Sequence, residues 1–71
     1  MSGYAVVIEH EGASWGAYVP DLPGCVAAGS SRAEVERLIR EAIGLHLEAM
    51  RERGEQIPPP TAEEIIVVQS A

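Results

Sequence analysis

The acidic residues are the first candidates for chemistry, and their positions argue against it. Of the 11 acidic residues in the 71-residue chain, Asp21 is the only aspartate. Catalytic carboxylates must converge on one site, whereas five of the ten glutamates are spaced along a predicted helix. Asp21 lies in a turn sequence, where bonding to backbone N–H groups already explains it. The sequence therefore predicts neither a catalytic carboxylate nor a carboxylate metal site.

The remaining polar candidates also lack a functional spacing. Cys25, His10 and His46 are too few and too far apart to form a metal-ligand pattern. We expect Cys25 to be a small buried side chain, His10 to be ordinary surface, and His46 to be packed or half-exposed. No serine has a histidine at a motif spacing, and no glycine-rich phosphate loop is present. We predict no catalytic residues, no metal and no cofactor.

The aromatic residues Trp15 and Tyr18 could form a platform for nucleic-acid bases. Such platforms carry interleaved lysine or arginine, and none lies near these two. All five basic residues are arginines within the predicted helix, where they alternate with glutamates as on a solvated ion-pair face. The net charge of −6 also repels phosphates. Trp15 and Tyr18 are therefore predicted to be core or interface residues.

Length and composition predict a single domain spanning residues 1–71. A chain of this size buries only about 60% of its unfolded surface, so its core is marginal. One cysteine excludes an internal disulfide. The start of the chain lacks the basic and apolar segments of a signal peptide, and no apolar run approaches the about 20 residues of a membrane helix. We expect a cytoplasmic protein without membrane contact.

The element on which the rest depends is the turn sequence Pro20-Asp21-Leu22-Pro23-Gly24-Cys25. Pro23 fixes its own φ, and Gly24 supplies the positive φ that the third position of a type II turn requires. Leu22 precedes a proline and is pushed to extended geometry. The pattern predicts a rigid turn, and the alternative is a rigid loop that is presented to a partner.

Three strands are predicted around this turn. Residues 3–10, 14–19 and 25–29 are rich in β-branched and small apolar residues, with Gly12 as the positive-φ residue of the first connection. Because the connections are short, the strands should form an antiparallel meander. Gly16 in the second strand indicates a bulge or the close approach of another backbone.

Residues 32–53 fit one long helix. Ser31 and Glu34 form a capping-box pattern, in which each side chain bonds the backbone N–H of the other, and Gly54 is a natural stop. At about 1.5 Å per residue the helix is about 33 Å long, so its end should overhang strands of about 20 Å. Its predicted apolar stripe consists of Val35, Leu38, Ile39, Ala42, Leu45, Ala49 and Met50, widened by Ile43 and Leu47.

Three prolines at positions 58–60 form a stiff spacer before a last strand at 63–69. The order β-β-β-α-β predicts an α+β fold, an antiparallel meander plus a last strand, with one long helix packed on one face. The strands carry apolar residues on both faces, which is typical of sheets that are buried on both sides. Because one helix covers one face, we expect a homodimer or higher homo-oligomer, in which the last strand could also pair with a neighbouring subunit.

The chain also resembles a known family. The central motif is fairly specific at its distance from the helix start, and the match covers nearly the whole chain. The segments that look like the HicB-type antitoxin domain are Tyr4-Ala5-Val6-Val7-Ile8, Trp15-Gly16-Ala17-Tyr18-Val19-Pro20-Asp21-Leu22-Pro23-Gly24-Cys25 and Gly54-Glu55-Gln56-Ile57-Pro58-Pro59-Pro60.

The resemblance implies a pared-down ribonuclease-H-like fold without its catalytic carboxylates. It further implies a non-catalytic protein that oligomerises and neutralises HicA, a small basic toxin that cleaves mRNA. An acidic module suits a basic partner electrostatically. The residues of the motif that we predict to bind the partner are Trp15, Tyr18, Asp21, Leu22, Pro23 and Gly24.

Full-length members of this family often carry a C-terminal ribbon-helix-helix or helix-turn-helix. No DNA-reading segment of that kind occurs in these residues, so we expect no direct DNA binding. Two alternatives stay open. One is a vestigial or divergent ribonuclease-H-like nuclease, and the other is a stand-alone oligomeric binding module that has no toxin partner.

Overall fold

The computed structural model describes residues 3–60 and the strand at 66–70. Three antiparallel strands followed by one helix confirm the predicted α+β class. Gly54 follows the end of the helix, as predicted, although the last helical residue is Glu52. The elements are β1 (Ala5–Glu11), β2 (Ser14–Tyr18), β3 (Val26–Gly29), α1 (Arg32–Glu52) and β4 (Ile66–Ser70).

The four strands form one sheet in the order β3-β2-β1-β4. β1 pairs antiparallel with β2 and parallel with β4 of the same chain. A parallel pair needs a long connection. The connection from β1 to β4 includes α1 and residues 57–60, which are called the proline segment. Positions 63–65 of the predicted last strand lie outside the described residues.

The β1–β2 hairpin is tight, and its strands are regular. Gly12 has the predicted positive φ, at 61°. The predicted bulge or close approach at Gly16 is wrong, because Gly16 pairs in unbroken register with Glu9 and Ala28. A Cβ at this position would meet only the Ala27 carbonyl oxygen at 3.7 Å, which is an ordinary contact.

The core lies between α1 and one face of the sheet. Val35, Ile39 and Ile43 follow one another at intervals of four residues, so they lie along one line of the helix. They join Val6 and Ile8 of β1 in a single buried cluster. The buried core residues are Tyr4, Val6, Ile8, Ala17, Val19, Leu22, Cys25, Val35, Ile39 and Ile43.

The predicted apolar stripe of α1 is wrong at Leu45. Ile43, which was predicted only to widen the stripe, lies at its centre, whereas Leu45 is 68% exposed. A helix turns about 100° per residue, so Leu45 projects about 120° away from Ile39. An exposed leucine therefore marks the outer side of the helix in its second half.

The N-terminus of α1 is capped as predicted on one side and differently on the other. The Ser31 hydroxyl accepts a hydrogen bond from the Glu34 backbone N–H at 3.2 Å. The Glu34 carboxylate, however, accepts from the backbone N–H of Ser30 at 2.7 Å rather than from that of Ser31. A Cβ at Gly29 would collide with this carboxylate, so the cap explains the small residue at the end of β3.

The C-terminus of α1 ends in a Schellman motif. Gly54 has φ +71°, and its N–H donates to the Arg51 carbonyl at 3.1 Å. The Glu55 N–H reaches back to the Met50 carbonyl at 2.9 Å. These two bonds satisfy carbonyl groups that the last helical turn leaves without partners.

The proline segment returns to the sheet after the helix. The hydroxyl of Tyr4, a core residue, donates to the Pro58 carbonyl at 2.6 Å. Ile57 and Pro58 are half-buried. The segment before β4 is therefore attached to the start of β1 in its own chain.

Candidate partner-binding site

The segment 19–25 folds as two consecutive reverse turns. The Leu22 N–H donates to the Val19 carbonyl at 3.0 Å, and the Cys25 N–H donates to the Leu22 carbonyl at 3.0 Å. A third bond, from the Val19 N–H to the Cys25 carbonyl at 3.2 Å, closes the loop. Gly24 has φ +88°, which confirms the predicted positive-φ position after Pro23. The loop is therefore a rigid end of the β2–β3 hairpin.

Leu22 and Cys25 attach this double turn to the core. The Leu22 side chain is fully buried, and Cys25 is 2% exposed. The turn also lies close to the helix, since a Cβ at Gly24 would sit 4.0 Å from the His46 Cε1 atom. His46 is half-buried, which agrees with the prediction of a packed or half-exposed histidine.

The six residues predicted to bind a partner do not form one surface. Leu22 lies inside the core, where its side chain is out of reach of any partner. Pro23 and Gly24 are exposed at the tip of the turn, and Asp21 beside them is half-buried. The two aromatic residues lie on opposite faces of β2, because side chains alternate along a strand.

Trp15 lies on the face that α1 covers. Its ring stacks on that of His10, the residue opposite it on β1, with ring centroids 4.4 Å apart and planes at 23°. Both side chains are half-buried. The prediction of His10 as ordinary surface is therefore wrong. The cross-strand register that creates this pair cannot be inferred from His10 and its sequence neighbours alone.

The polar groups of the described residues do not converge on a reaction centre. Within residues 3–60 and 66–70, no three histidine, cysteine, aspartate or glutamate side chains come together in a metal-binding arrangement. Burial raises the pKa of the Cys25 thiol, because desolvation penalises the thiolate. A protonated, buried thiol is a poor nucleophile. In the same part of the chain, no helix combines the length and apolar character needed to cross a bilayer.

Charge is distributed unequally between the two layers. Residues 3–31 contain Glu9, Glu11 and Asp21 but no lysine or arginine. All five arginines lie between Arg32 and Arg53, where some pair with glutamates four residues away, as in Arg32–Glu36 at 2.9 Å. The helix layer therefore neutralises much of its own charge, and the sheet layer is acidic.

The side of the sheet turned away from α1 is called here the open face. Val7 and Glu9 of β1 project from it, because Val6 and Ile8 project into the core. Along the strands the exposure alternates in the same way on β2 and β3. Members of the open face include Val7, Glu9, Glu11, Gly16, Tyr18, Val26 and Ala28.

The sequence that forms these elements matches a known protein family. Residues 4–70 match the family described as "HicB_like antitoxin of bacterial toxin-antitoxin system". The chain belongs to the HicB-like antitoxin family. The match begins at the core residue Tyr4 and includes the whole double turn, α1 and the proline segment.

Two curated proteins are similar to this chain over most of its length. The UPF0150 protein Ta0767 of Thermoplasma acidophilum is 38% identical over 65 residues, which cover 90% of this chain and 94% of the relative. An uncharacterized 14.9 kDa protein from the rep-hol intergenic region of Haemophilus phage HP1 is 38% identical over 55 residues. That match covers 78% of this HicB-like chain but 41% of the phage protein. No solved structure matches the chain significantly.

Replacing Gly24 by alanine should destabilise the protein. An L-residue at positive φ is strained, so Gly24→Ala should lower the free energy of unfolding by about 1–2 kcal/mol. Gly44→Ala is the matched control, because Gly44 is exposed in α1 with nothing near its Cβ position. It should instead gain about 1 kcal/mol of helix propensity. Urea unfolding of both variants tests this, and equal stabilities would contradict the turn geometry.

The buried thiol predicts a specific loss of stability in alkali. Since the folded-state pKa of Cys25 is raised, the stability associated with the protonated thiol is complete below the unfolded-state pKa. It is lost as the pH rises through the folded-state pKa. Relative to Cys25→Ala, the wild type should lose stability progressively above about pH 8.5. Urea unfolding of both proteins at several pH values measures this difference, and a constant difference would refute the prediction.

Proposed function

We propose that this chain is a non-catalytic antitoxin that binds and neutralises a small basic HicA-type toxin. The observation that carries the proposal is the family match across residues 4–70. In this role the protein masks the surface with which the toxin cleaves mRNA. The action is stoichiometric, so it requires a rigid complementary surface rather than reactive groups.

Charge supports a basic partner. The chain has a net charge of −6, and its sheet layer has no lysine or arginine to repel a cationic protein. Complementary charge accelerates the encounter of two proteins and disfavours wrong partners. Because such a toxin acts on mRNA, the proposal places the antitoxin in the cytoplasm.

Four of the six residues that the motif predicts to bind the partner are accessible to it. Tyr18, Asp21, Pro23 and Gly24 are exposed or half-buried at the same end of the sheet, and the proposal keeps them as partner contacts. Leu22 contributes by holding the turn from inside the core. Trp15 contributes by packing with His10 on the covered face.

The proposal includes a homo-oligomer that forms through the second half of α1. The buried positions of the helix stop at Ile43, and beyond it Leu47 and Met50 pack only partly against the core. Leu45 is 68% exposed. At about 1.5 Å per residue the 21-residue helix is about 32 Å long, which exceeds the length of each strand beneath it. A second copy can cover this projecting end of the helix.

The central test uses the small basic protein encoded by a neighbouring gene. Purified toxin should cleave RNA alone, and cleavage should fall to background when one equivalent of this protein is added. Because complementary charge contributes, the association should slow as salt is raised from about 0.05 M to about 0.5 M. An unrelated acidic protein of similar size serves as the control. If two folded proteins form no complex at micromolar concentration, the proposed function is wrong.

The oligomer is tested by sedimentation. Leu45→Ser should reduce self-association by about tenfold or more if Leu45 lies in the centre of the contact. It should leave the fold intact, because the side chain is exposed. A wild-type chain that sediments as a monomer at micromolar concentration would refute this part of the proposal.

A further inference from the structure

The open face carries an apolar row that crosses three strands. Val7 of β1 lies opposite Tyr18 of β2, and Tyr18 lies opposite Val26 of β3. Tyr18 is 40% exposed and Val26 is 63% exposed, and with Leu45 they are the large exposed apolar residues within residues 3–60. Such a row next to polar groups is typical of a protein interaction surface.

The next row along the open face combines an acid with small residues. Glu9 lies opposite Gly16, which lies opposite Ala28. Gly16 has no side chain and Ala28 has a small one. The surface of the open face is therefore recessed at these two positions, between the Tyr18 row and Glu11. Glu9 is a diagonal neighbour of Tyr18 across the β1–β2 pair, a spacing that long side chains bridge.

These two rows offer the chemistry that receives an arginine. A guanidinium binds a carboxylate through paired N–H donors and also packs on an aromatic face. Glu9 supplies the carboxylate and Tyr18 supplies the ring. Gly16, which lies opposite Glu9 and two residues before Tyr18 in β2, has no side chain and leaves room for the incoming group. No arginine or lysine of the same chain competes, because residues 3–31 and 66–70 contain none.

The geometry points to the open face as the surface that binds the toxin, by taking a cationic side chain of the partner between Tyr18 and Glu9. This inference rests on the proposed antitoxin function and names the surface that performs it. The apolar row Val7–Tyr18–Val26 supplies the dry centre of the contact, and Glu9 with Glu11 supplies its acidic rim. The exposed tip of the double turn lies at the same end of the sheet as this row.

Charge selects a basic partner for this face over a second copy of the chain. If two open faces stacked on each other, Glu9 and Glu11 of both copies would enter one interface. The face has no lysine or arginine to offset four carboxylates, and like charges that are juxtaposed in an interface oppose binding. A basic partner meets the same groups with opposite charge.

The first experiment compares two charge-reversal variants that change the net charge equally. Glu9→Lys/Glu11→Lys alters the open face, whereas Glu48→Lys/Glu52→Lys alters exposed positions of α1 on the other layer. Affinity for the neighbouring-gene toxin is measured by calorimetry near 0.15 M salt. The open-face variant should bind at least about 30-fold more weakly and the helix variant within about threefold of wild type, because charges beyond about 8 Å are screened. Equal losses would overturn the inference in favour of net charge alone.

The second experiment separates toxin binding from self-association. Tyr18→Ser should weaken toxin binding at least about tenfold, as truncating a central tyrosine does, and should leave the sedimentation coefficient of the free chain unchanged. Leu45→Ser, which removes a more exposed apolar side chain, should leave the affinity for toxin unchanged. Urea unfolding of each variant confirms that the chain is folded. If Tyr18→Ser dissociates the oligomer instead, the open face is an interface between copies and the inference is wrong.

Binding by the wild type distinguishes a failure of the proposed function from a failure of the open-face site. If it fails to bind the toxin at all, the proposed function fails. If it binds tightly and the open-face variants bind equally well, the function stands and the open-face assignment is overturned. A mixed result, with loss only in Glu9→Lys/Glu11→Lys, would refute the apolar centre and therefore also the Tyr18–Glu9 site.

Discussion

A single helix can cover one face of a sheet, and this constraint determines the rest of the molecule. The side chains of Val35, Ile39 and Ile43 pack on the covered face, in one buried cluster with Val6 and Ile8. The described part of the chain has no second helix to cover the other face. For so short a chain, each buried contact forms a large part of a small total stability. The open face is therefore free for a function outside the core, and the apolar groups on it are not needed to close the fold.

The double turn makes the end of the β2–β3 hairpin rigid. Leu22 takes part in both turns through its backbone and fills the core with its side chain, so the turn cannot move without opening the core. Pro20 and Pro23 each restrict their own φ, and Gly24 allows the positive φ that the second turn requires. Because β2 ends and β3 begins at this loop, its rigidity also fixes the register that places Tyr18 opposite Val26. A surface ordered before binding loses less entropy when a partner arrives.

Local sequence rules were sufficient for most of the fold. Positive φ at Gly12, Gly24 and Gly54 follows from turn and cap chemistry, and the strand and helix types follow from hydrophobic periodicity. The rules were less successful where two elements meet. The exposure of Leu45 depends on the side of the helix that meets the sheet, and the Glu34 bond to Ser30 depends on the path of the chain from β3. The family resemblance supplied the antitoxin class, which the residues by themselves did not.

The candidate site was harder to predict because adjacency in sequence is a poor guide to adjacency on a surface. The motif from Trp15 to Gly24 is continuous, yet strand alternation sends Trp15 and Tyr18 to opposite faces. The turn also buries Leu22 between the half-buried Asp21 and the exposed Pro23. The residues that do share a surface with Tyr18 of β2 are Val7 and Glu9 of β1 and Val26 of β3. Only the register unites them. A site of this kind has no linear motif, since its chemistry is distributed over positions that each fit an ordinary strand. Its signal is the combination of an exposed apolar row with an acidic neighbour on a face that lacks any basic residue.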